Sequence, residues 1–247
     1  MELFILAGGF GTRLADTIGE LPKPLAPINK KPFLYYLLKL YIAQGLNNFV
    51  FLLHYKADLI IDYLNEEKHS GILQNSSVRY VVEPQPKGTG GAVLYAINEL
   101  SIKNSFLVTN GDTILTSGVK EIISIGSPSI AVKKEKLNKR FGSVEIDNGR
   151  VLGFNPKGDY GHYGYINAGL YNLHPGVFSK RLDQNKEFSI ESSLFPSLVK
   201  QNILNAGIID GDFIDIGIPH DYKRFCLMIE DEEIFFKNNQ FNNTIIF

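Results

Sequence analysis

Apolar runs of strand length alternate with helical patterns through the first half of the chain. Five such runs predict strands, and they are ELFILA (2–7), NFVFLLH (48–54), VRYVVE (78–83), SFLVTN (105–110) and SIAVKK (129–134). Helices are predicted between them: one between Pro32 and Gly45, one where apolar residues recur from Ala57 to Leu64, and one over about 90–100. This alternation is typical of βαβ units, so we expect a mostly parallel sheet flanked by helices.

The pattern changes after residue 140, where the segments become shorter and richer in glycine and tyrosine. GSVEID, RVLGFN and GYINAGLYNL predict antiparallel strands beside the parallel sheet, and two further helices are expected near 190–201 and 219–230. No internal repeat, low-complexity tract or linker interrupts the sequence. We therefore expect one α/β domain over 1–247, with approximate lobes at 1–135 and 136–230 and a C-terminal tail at 231–247.

Composition limits the partners that this chain can have. Its 247 residues carry a formal net charge of -1, so no global basic field attracts nucleic acid or an anionic membrane. The single cysteine, Cys226, excludes an intrachain disulfide, and the sequence contains neither a signal sequence nor a membrane-spanning run. We expect a cytoplasmic protein that binds neither nucleic acid nor membrane, and the apolar side chains of the tail are compatible with a homodimer.

A glycine-rich turn, LAGGFGTRL (6–14), follows the first predicted strand. Glycines at the carboxyl end of a parallel strand let backbone N–H groups approach phosphate oxygens closely. The spacing differs from G-x-G-x-x-G, and no G-x-x-x-x-G-K-[ST] occurs, which weakens the dinucleotide and P-loop interpretations. Arg13 adds a planar cation that can grip phosphate bidentately. The alternative is a surface turn with a solvated arginine.

A second cation, Lys23, stands in LPKPLAP (21–27). The prolines at 22 and 24 predict an extended, stiffened backbone from which the lysine projects, as a phosphate clamp requires. An exposed polyproline-like turn is the alternative interpretation.

The two segments together resemble the sugar-phosphate nucleotidyltransferases, which join a nucleoside triphosphate to a sugar 1-phosphate and release pyrophosphate. Further matching segments follow in the family's order, and they are EPQPKGTGGA, VTNGD, FNPKG, NAGLYNL, FSIES and FIDIGIPHDY. The resemblance implies the nucleotide-diphospho-sugar transferase fold, with a Rossmann-like, mostly parallel central sheet and a small antiparallel sugar-binding lobe. It also implies that the partners are a nucleoside triphosphate and a sugar 1-phosphate.

The resemblance assigns the phosphate chemistry to particular residues. A phosphate monoester is already anionic at neutral pH, so the attack on the nucleotide α-phosphorus needs no general base. Positioning and charge neutralisation are what the reaction requires. By resemblance, Arg13 stabilises the departing pyrophosphate and Lys23 bridges the reacting phosphates, and both are therefore catalytic. The residues implied for nucleotide binding are Leu6, Gly8, Gly9, Gly11, Thr12, Glu83, Gly88 and Thr89.

Asp112 and Asp215 resemble the family's metal-binding aspartates, which implies Mg²⁺ as the cofactor. Magnesium prefers one or two carboxylates together with phosphate oxygens. Each aspartate also has an alternative explanation that needs no metal. Asn110-Gly111 is a turn signal, and Asp112 could simply belong to that turn. Asp215 could be an ordinary acid at a strand end.

The resemblance places sugar-phosphate binding in the second half of the chain. The implied residues are Gly142, Lys157, Asn167, Gly169 and Glu191. Glutamate and asparagine suit neutral hydroxyl groups, although Glu191 also falls in a predicted first helical turn, where an acid stabilises the helix dipole without a ligand. Tyr160, Tyr163 and Tyr165 are candidates for lining the same pocket, or are core residues.

The segment GTGGA is similar to that of family members that use purine triphosphates, especially those making GDP-heptose or GDP-mannose. This favours transfer of GMP from GTP to a manno-heptose 1-phosphate, in a route to surface polysaccharide such as capsule or lipopolysaccharide. The stretch Pro-Gln-Pro-Lys before Gly88 is longer than in EPLGTGGA, so a uridylyl-, cytidylyl- or thymidylyltransferase acting on a hexose 1-phosphate stays the alternative. In the same segment, Thr89 could instead be a helix N-cap, with the glycines serving only close packing.

A protein of another class, a sensor that binds a nucleotide sugar without turning it over, is the remaining hypothesis. Such a sensor has no reason to keep Arg13, Lys23, Asp112 and Asp215 together, and all four are present. The sequence therefore favours an enzyme.

Overall fold

The computed structural model describes residues 1–137, 141–158, 161–178, 187–230 and 235–236. The strands are β1 Leu3–Leu6, β2 Pro27–Ile28, β3 Lys31–Pro32, β4 Asn48–Leu53, β5 Ser77–Val82, β6 Phe106–Asn110, β7 Thr113–Leu115, β8 Ser129–Lys136, β9 Gly142–Asp147, β10 Arg150–Lys157, β11 Tyr163–Leu173, β12 Asn205–Ile208 and β13 Phe213–Asp215. The α-helices are α1 Ala15–Ile18, α2 Phe33–Ala43, α3 Ala57–Ser70, α4 Gly88–Glu99, α5 Val119–Ile125, α6 Phe195–Lys200 and α7 Pro219–Met228.

These elements form two compact units. The first, called the N-terminal unit below, consists of Glu2–Val82, Asn110–Thr116 and Gly211–Phe247. The second, called the middle unit, consists of Glu83–Thr109 and Ser117–Asp210, together with Met1. Each unit has its own buried core.

The N-terminal unit contains a parallel three-stranded arrangement in the order β5-β4-β1. Strands β1 and β4 are almost wholly apolar and buried, as parallel strands covered on both faces usually are. Helix α2 adds its buried face, including Phe33 and Tyr36. Two short antiparallel pairs, β2 with β3 and β7 with β13, complete the unit.

The middle unit contains a mixed sheet in which the strand order is β6-β11-β8-β12-β10-β9. Strand β12 is parallel to β8, whereas β11 runs antiparallel to both β6 and β8. The register of β11 against β8 shifts between Asn167 and Tyr171, because Asn167 lies opposite Val132 and Tyr171 opposite Ile130. This bulge re-aims the side chains of the NAGL segment.

Most elements predicted from the periodicity are present, and the α/β class is confirmed. Helix α2 starts directly after Pro32, and Gly45 follows its end with φ of 90°, the left-handed conformation expected of a residue after a helix. Ala57, Ile60 and Leu64 are buried on one face of α3, as the spacing predicts. Local sequence pattern therefore decides these helices.

Several short elements were not predicted from the pattern of apolar residues. Helix α5 is seven residues long, too short for its apolar period to be distinct, and strands β7, β12 and β13 have four residues or fewer. The extended backbone predicted for Lys23 is wrong, because Lys23–Leu25 form a 3₁₀ helix after Pro22. The φ angle that proline imposes fits the first turn of a helix, where its missing N–H is not needed.

Two predictions concern residues outside those described. They are the assignments of Tyr160 and of most of the tail over 231–247. Across the described ranges, no helix has both the length and the apolarity to span a membrane.

Gly111 fixes how closely two segments of the N-terminal unit approach. Its N–H donates to the Leu6 carbonyl at 2.8 Å, and a Cβ atom at position 111 would lie 2.7 Å from that oxygen. Because the obstacle is backbone, which cannot rotate away, we expect Gly111→Ala to lower the free energy of unfolding by about 1–3 kcal/mol. A lower urea midpoint would show it. Gly9→Ala is the control, since a Cβ there meets nothing within 4 Å, and equal midpoints for both variants would contradict the prediction.

Candidate active site

The glycine-rich turn of the N-terminal unit connects the buried strand β1 to a 3₁₀ helix over Thr12–Leu14. Each glycine has a different environment. A Cβ at Gly8 would lie 3.1 Å from His54, and Gly11 has φ of +68° with Lys23 Cγ 3.0 Å from its Cβ position. Gly9 is exposed, has no left-handed φ and faces open space. Packing and backbone strain therefore explain Gly8 and Gly11, but they do not explain Gly9.

Lys23 and Asp112 form an ion pair beside this turn. Lys23 Nζ donates to Asp112 Oδ2 at 2.8 Å, and their side chains are 13% and 29% exposed. The pair joins the 3₁₀ helix after Pro22 to the turn between β6 and β7. Charge pairs in this partly buried environment are screened less by salt than pairs on the open surface.

Asp215 ends strand β13 and lies opposite Thr113 of β7, so it is brought next to Asp112. The Ile216 N–H donates to the Asp112 carbonyl at 3.0 Å, which ties the two segments together. The Gly217 N–H donates to Asp215 Oδ1 at 2.7 Å and orients that carboxylate. The structure thus places Lys23, Asp112 and Asp215, all predicted from the sequence, in one cluster.

The two aspartates fit the oxygen ligands that a hard divalent cation requires. In the part of the chain that is described, no group of three or more His, Cys, Asp or Glu side chains could hold a metal ion. Two carboxylates are sufficient where phosphate oxygens complete the coordination of magnesium, as its chemistry favours. Arg13, on the adjacent 3₁₀ helix, is exposed and available to a further anion.

In the middle unit, the segment GTGGA forms the start of α4 and packs against Phe188. Gly88 has φ of +69°, and a Cβ there would lie 2.6 Å from the Phe188 carbonyl oxygen. A Cβ at Gly90 would lie 2.2 Å from the Phe188 ring. The N–H groups of Gly90 and Gly91 both donate to the Phe188 carbonyl. Close packing is therefore a sufficient reason for the glycines at 88 and 90.

Thr89 has no N-cap role, since α4 has Lys87 at its N-cap position without a side-chain cap. Its hydroxyl instead donates to Glu191 Oε2 at 2.8 Å and accepts the Ile190 N–H at 2.9 Å. Thr89 of the predicted nucleotide-binding segment is thus hydrogen-bonded directly to Glu191, which is predicted to bind the sugar. Glu83, also predicted to bind nucleotide, is buried at the end of β5.

Glu191 is the centre of a hydrogen-bond network. The Tyr171 hydroxyl donates to Oε1 at 3.2 Å, and the Ser189 hydroxyl donates to Oε2 at 2.7 Å. Asn167 Nδ2 donates to the Tyr171 hydroxyl at 3.0 Å, and Asn167 Oδ1 accepts the Gly169 N–H at 2.9 Å. The β11 bulge, in which Gly169 has φ of 77°, creates this arrangement.

Tyr171 is a donor in this network because it stays protonated. Burial, and then the negative charge of Glu191, raise the pKa of Tyr171 well above its usual value. The phenol therefore keeps its proton at any physiological pH and directs it at the carboxylate. Tyr171 also packs edge-on against the Phe195 ring, with 4.9 Å between centroids.

Glu191 lies in a π-helix over Ile190–Leu194 that continues into α6. Ser189 is its N-cap and accepts the N–H groups of Glu191 and Ser192, each at 3.1 Å. An acid in the first turn is thus present as predicted, but its side chain is held by hydroxyl donors as well as by its position near the helix start.

Gly142 and Lys157 face each other across the hairpin of β9 and β10. A Cβ at Gly142 would lie 2.5 Å from the Asn155 carbonyl, so the close approach of the strands requires glycine. Lys157 is exposed. Tyr163 and Tyr165 lie on β11, where Tyr163 is 66% exposed and Tyr165 is partly buried, so neither belongs to the fully buried core.

Three residues of the site were missed by the sequence interpretation. Tyr171 falls within NAGLYNL and Ser189 within FSIES, and the resemblance gives neither residue a role of its own. A serine before a helical turn is an N-cap signal, which could have identified Ser189. Nothing local distinguishes Tyr171 from a core tyrosine. Gly111 was interpreted as a turn residue, whereas its contact with Leu6 is what requires glycine.

Comparison with known proteins identifies the class. The sequence pattern of the family described as "Nucleotidyl transferase" matches residues 3–232, so the chain belongs to this family. The expectation that it is a sugar-1-phosphate nucleotidyltransferase is confirmed. Enzymes of the family act on a nucleoside triphosphate and a sugar phosphate and generally use a divalent metal.

The chain is similar to particular members along most of its length. It is 35% identical over 229 residues to the D-glycero-alpha-D-manno-heptose 1-phosphate guanylyltransferase of Aneurinibacillus thermoaerophilus, covering 91% of this chain and 96% of that protein. It is 31% identical to mannose-1-phosphate guanylyltransferase 1 of Arabidopsis thaliana, covering 90% of this chain and 63% of the relative. The crystal structure of HddC from Yersinia pseudotuberculosis complexed with GMP-PN superimposes with a TM-score of 0.80 at 33% identity, covering 93% and 99% of the two chains.

Gly9 offers a test of the glycine-rich turn that is independent of folding. Since a methyl group at this position meets no protein atom within 4 Å, Gly9→Ala leaves the urea midpoint unchanged. The sequence predicts that Gly9 contacts the triphosphate, and a methyl group there would then obstruct the nucleotide, so we expect KM for the triphosphate to rise by roughly tenfold. Steady-state pyrophosphate release measures it. A Gly9→Ala enzyme with the wild-type KM would show that this turn does not contact the nucleotide.

Proposed function

We propose that this enzyme transfers GMP from GTP to a D-glycero-manno-heptose 1-phosphate, with Mg²⁺, releasing pyrophosphate and forming a GDP-heptose. The observation that carries the proposal is the similarity to the heptose 1-phosphate guanylyltransferase, which extends over 91% of this chain at 35% identity. The similarity to HddC, whose structure was determined with GMP-PN, supports guanine as the base. The product is an activated sugar for surface polysaccharide, and the single cysteine is compatible with a reducing cytoplasm.

The residues of the N-terminal unit suit the phosphate chemistry. The sugar phosphate attacks the α-phosphorus of GTP, a P–O bond forms, and the bond to pyrophosphate breaks. The attacking oxygen is already anionic near neutral pH, so no residue has to remove a proton. Charge must be neutralised and oxygens aligned. Lys23 bridges the reacting phosphates, Arg13 neutralises the departing pyrophosphate, and Gly9 allows close approach.

Asp112 and Asp215 are the residues that would hold Mg²⁺, and the cation would neutralise charge on the triphosphate. In the structure, Asp112 is paired with Lys23 at 2.8 Å. With Mg²⁺ held by the two aspartates, the phosphates of the bound triphosphate would offer Lys23 a second set of anionic partners. The Lys23 ammonium would then keep a charged partner when Asp112 turns to the metal.

The middle unit supplies the groups for the sugar phosphate and the base. Lys157 is an exposed cation suited to the sugar phosphate, and Asn167 and Glu191 are suited to hydroxyl groups. Gly142 and Gly169 shape the backbone around them. The base meets the segment that begins at Gly88, with Glu83 and Thr89 beside it.

Substrate choice is tested by pyrophosphate release with Mg²⁺. GTP, ATP, CTP, UTP and dTTP are each combined with manno-heptose, mannose and glucose 1-phosphates. We expect GTP with the manno-heptose phosphate to give the highest kcat/KM, by at least tenfold. Highest turnover with a pyrimidine triphosphate would discard guanine and favour the hexose alternative. Binding of nucleotide and sugar phosphate without release would favour the sensor.

The metal assignment is tested at Asp112. Asp112→Asn removes a carboxylate ligand and retains an acceptor for Lys23, so we expect turnover to fall by at least a hundredfold with the fold intact. Binding of Mn²⁺ in the presence of GTP, followed by electron paramagnetic resonance, should weaken in parallel. Asp212→Asn is the matched control, because Asp212 is an exposed carboxylate of the same unit. Wild-type turnover in Asp112→Asn would remove Asp112 from the metal site.

A further inference from the structure

The carboxylate of Glu191 is fixed by donors from three separate segments of the middle unit. Thr89 comes from the first turn of α4, Ser189 from the residue before the π-helix, and Tyr171 from β11. The oxygen distances are 2.8, 2.7 and 3.2 Å, respectively. All three donors are neutral hydroxyl groups, and Glu191 itself is only partly buried.

From this geometry we propose that Tyr171 and Thr89 are positioning residues for sugar selection, and that the Thr89–Glu191 bond couples the base-binding segment to the sugar site. The proposal rests on the assignment of Glu191 to sugar binding made above. Tyr171 and Thr89 need not touch the sugar. They act through the orientation of the Glu191 carboxylate.

Tyr171 is suited to this role by three features. It is 1% exposed, so its hydroxyl cannot turn toward water. It accepts a hydrogen bond from Asn167 at 3.0 Å, which leaves its own proton directed at Glu191 Oε1. Its ring is fixed by Phe195. A single phenol thus sets Asn167 and Glu191, the two side chains assigned to sugar hydroxyls, relative to each other.

Thr89 connects two sites that would otherwise be independent. Its backbone belongs to GTGGA, while its hydroxyl is shared between Glu191 Oε2 and the Ile190 N–H. The backbone on both sides of Thr89 is held by Phe188, whose N–H donates to the Lys87 carbonyl and whose carbonyl accepts from Gly90 and Gly91. Movement of GTGGA on binding a base must therefore move the donor to Glu191. Occupation of one site changes the geometry of the other.

The first test is Tyr171→Phe, which removes the donor and keeps the ring. We expect KM for the sugar 1-phosphate to rise by roughly tenfold, because a hydrogen bond to a charged group is lost, while KM for GTP changes less than about twofold. Discrimination between the manno-configured sugar phosphate and its gluco-configured counterpart should fall. Tyr36→Phe is the matched control, because Tyr36 is 2% exposed and its hydroxyl donates to the Ile28 carbonyl, which is not part of this network.

The same substitution is then made in a Glu191→Ala background. If Tyr171 acts through Glu191, removing the hydroxyl there has little further effect, and the two single changes are not multiplicative. An equal effect of Tyr171→Phe with and without Glu191 would overturn the positioning role. The positioning role would also be overturned if Tyr171→Phe raised KM for GTP as much as KM for the sugar 1-phosphate, or if Tyr36→Phe had the same effect as Tyr171→Phe.

Coupling through Thr89 is tested with Thr89→Val and Thr89→Ser. In the wild type, saturating GTP should lower the dissociation constant of the sugar phosphate. Thr89→Val should reduce this effect several-fold, and Thr89→Ser, which keeps the hydroxyl, should restore it. Equal cooperativity in all three proteins would refute the coupling.

An error in the proposed substrates gives a different result from an error in the positioning role. If the wild type releases no pyrophosphate from GTP and the manno-heptose phosphate, the substrate assignment is wrong, and the variants are compared on the pair that does react. If the wild type is active and Tyr171→Phe has wild-type constants, the substrates stand and the positioning role is overturned.

Discussion

The ion pair between Lys23 and Asp112 is the interaction on which the arrangement of the N-terminal unit depends. It joins side chains 89 residues apart, and the Asp112 carbonyl then accepts the Ile216 N–H from a third segment. Removing either charged partner from such a partly buried pair leaves the other without compensation, so each charge is given up only in exchange for another charged partner. Three segments distant in sequence are thereby brought together at the end of the buried β1. They lie next to the glycine-rich turn, in which Gly8 and Gly11 make close contacts.

In the middle unit, backbone hydrogen bonds bring together segments that are distant in sequence. The Phe188 carbonyl accepts from two N–H groups at the start of α4, and the Phe188 ring fills the space above Gly90. A residue with a Cβ at position 88 or 90 would separate α4 from the segment that carries Glu191. Gly88 and Gly90 thus have a structural purpose that is independent of any base, and the same contact brings Thr89 within hydrogen-bonding distance of Glu191.

Features of the fold and the site that are determined by neighbouring residues could be predicted from the sequence. Features that depend on residues distant in sequence could not. The apolar period located α2 and α3, and the family resemblance named Lys23, Asp112 and Asp215 before the fold placed them together. The 3₁₀ helix at Lys23 was missed because proline fits both extended and helical φ angles. The role of Tyr171 was invisible because its donor function follows from a register shift in β11 against β8, which no local pattern reveals.

The two units hold their carboxylates in different ways, and the difference matches the chemistry assigned to each. Asp112 is balanced by a cation, so another cation or an anionic ligand can enter by exchange of charged partners without leaving a bare charge in a partly buried place. Glu191 is held by neutral hydroxyl donors, which orient its lone pairs without cancelling its charge. An oriented carboxylate with remaining acceptor capacity suits neutral hydroxyl groups, whereas a cation-balanced one suits a metal bound to phosphate.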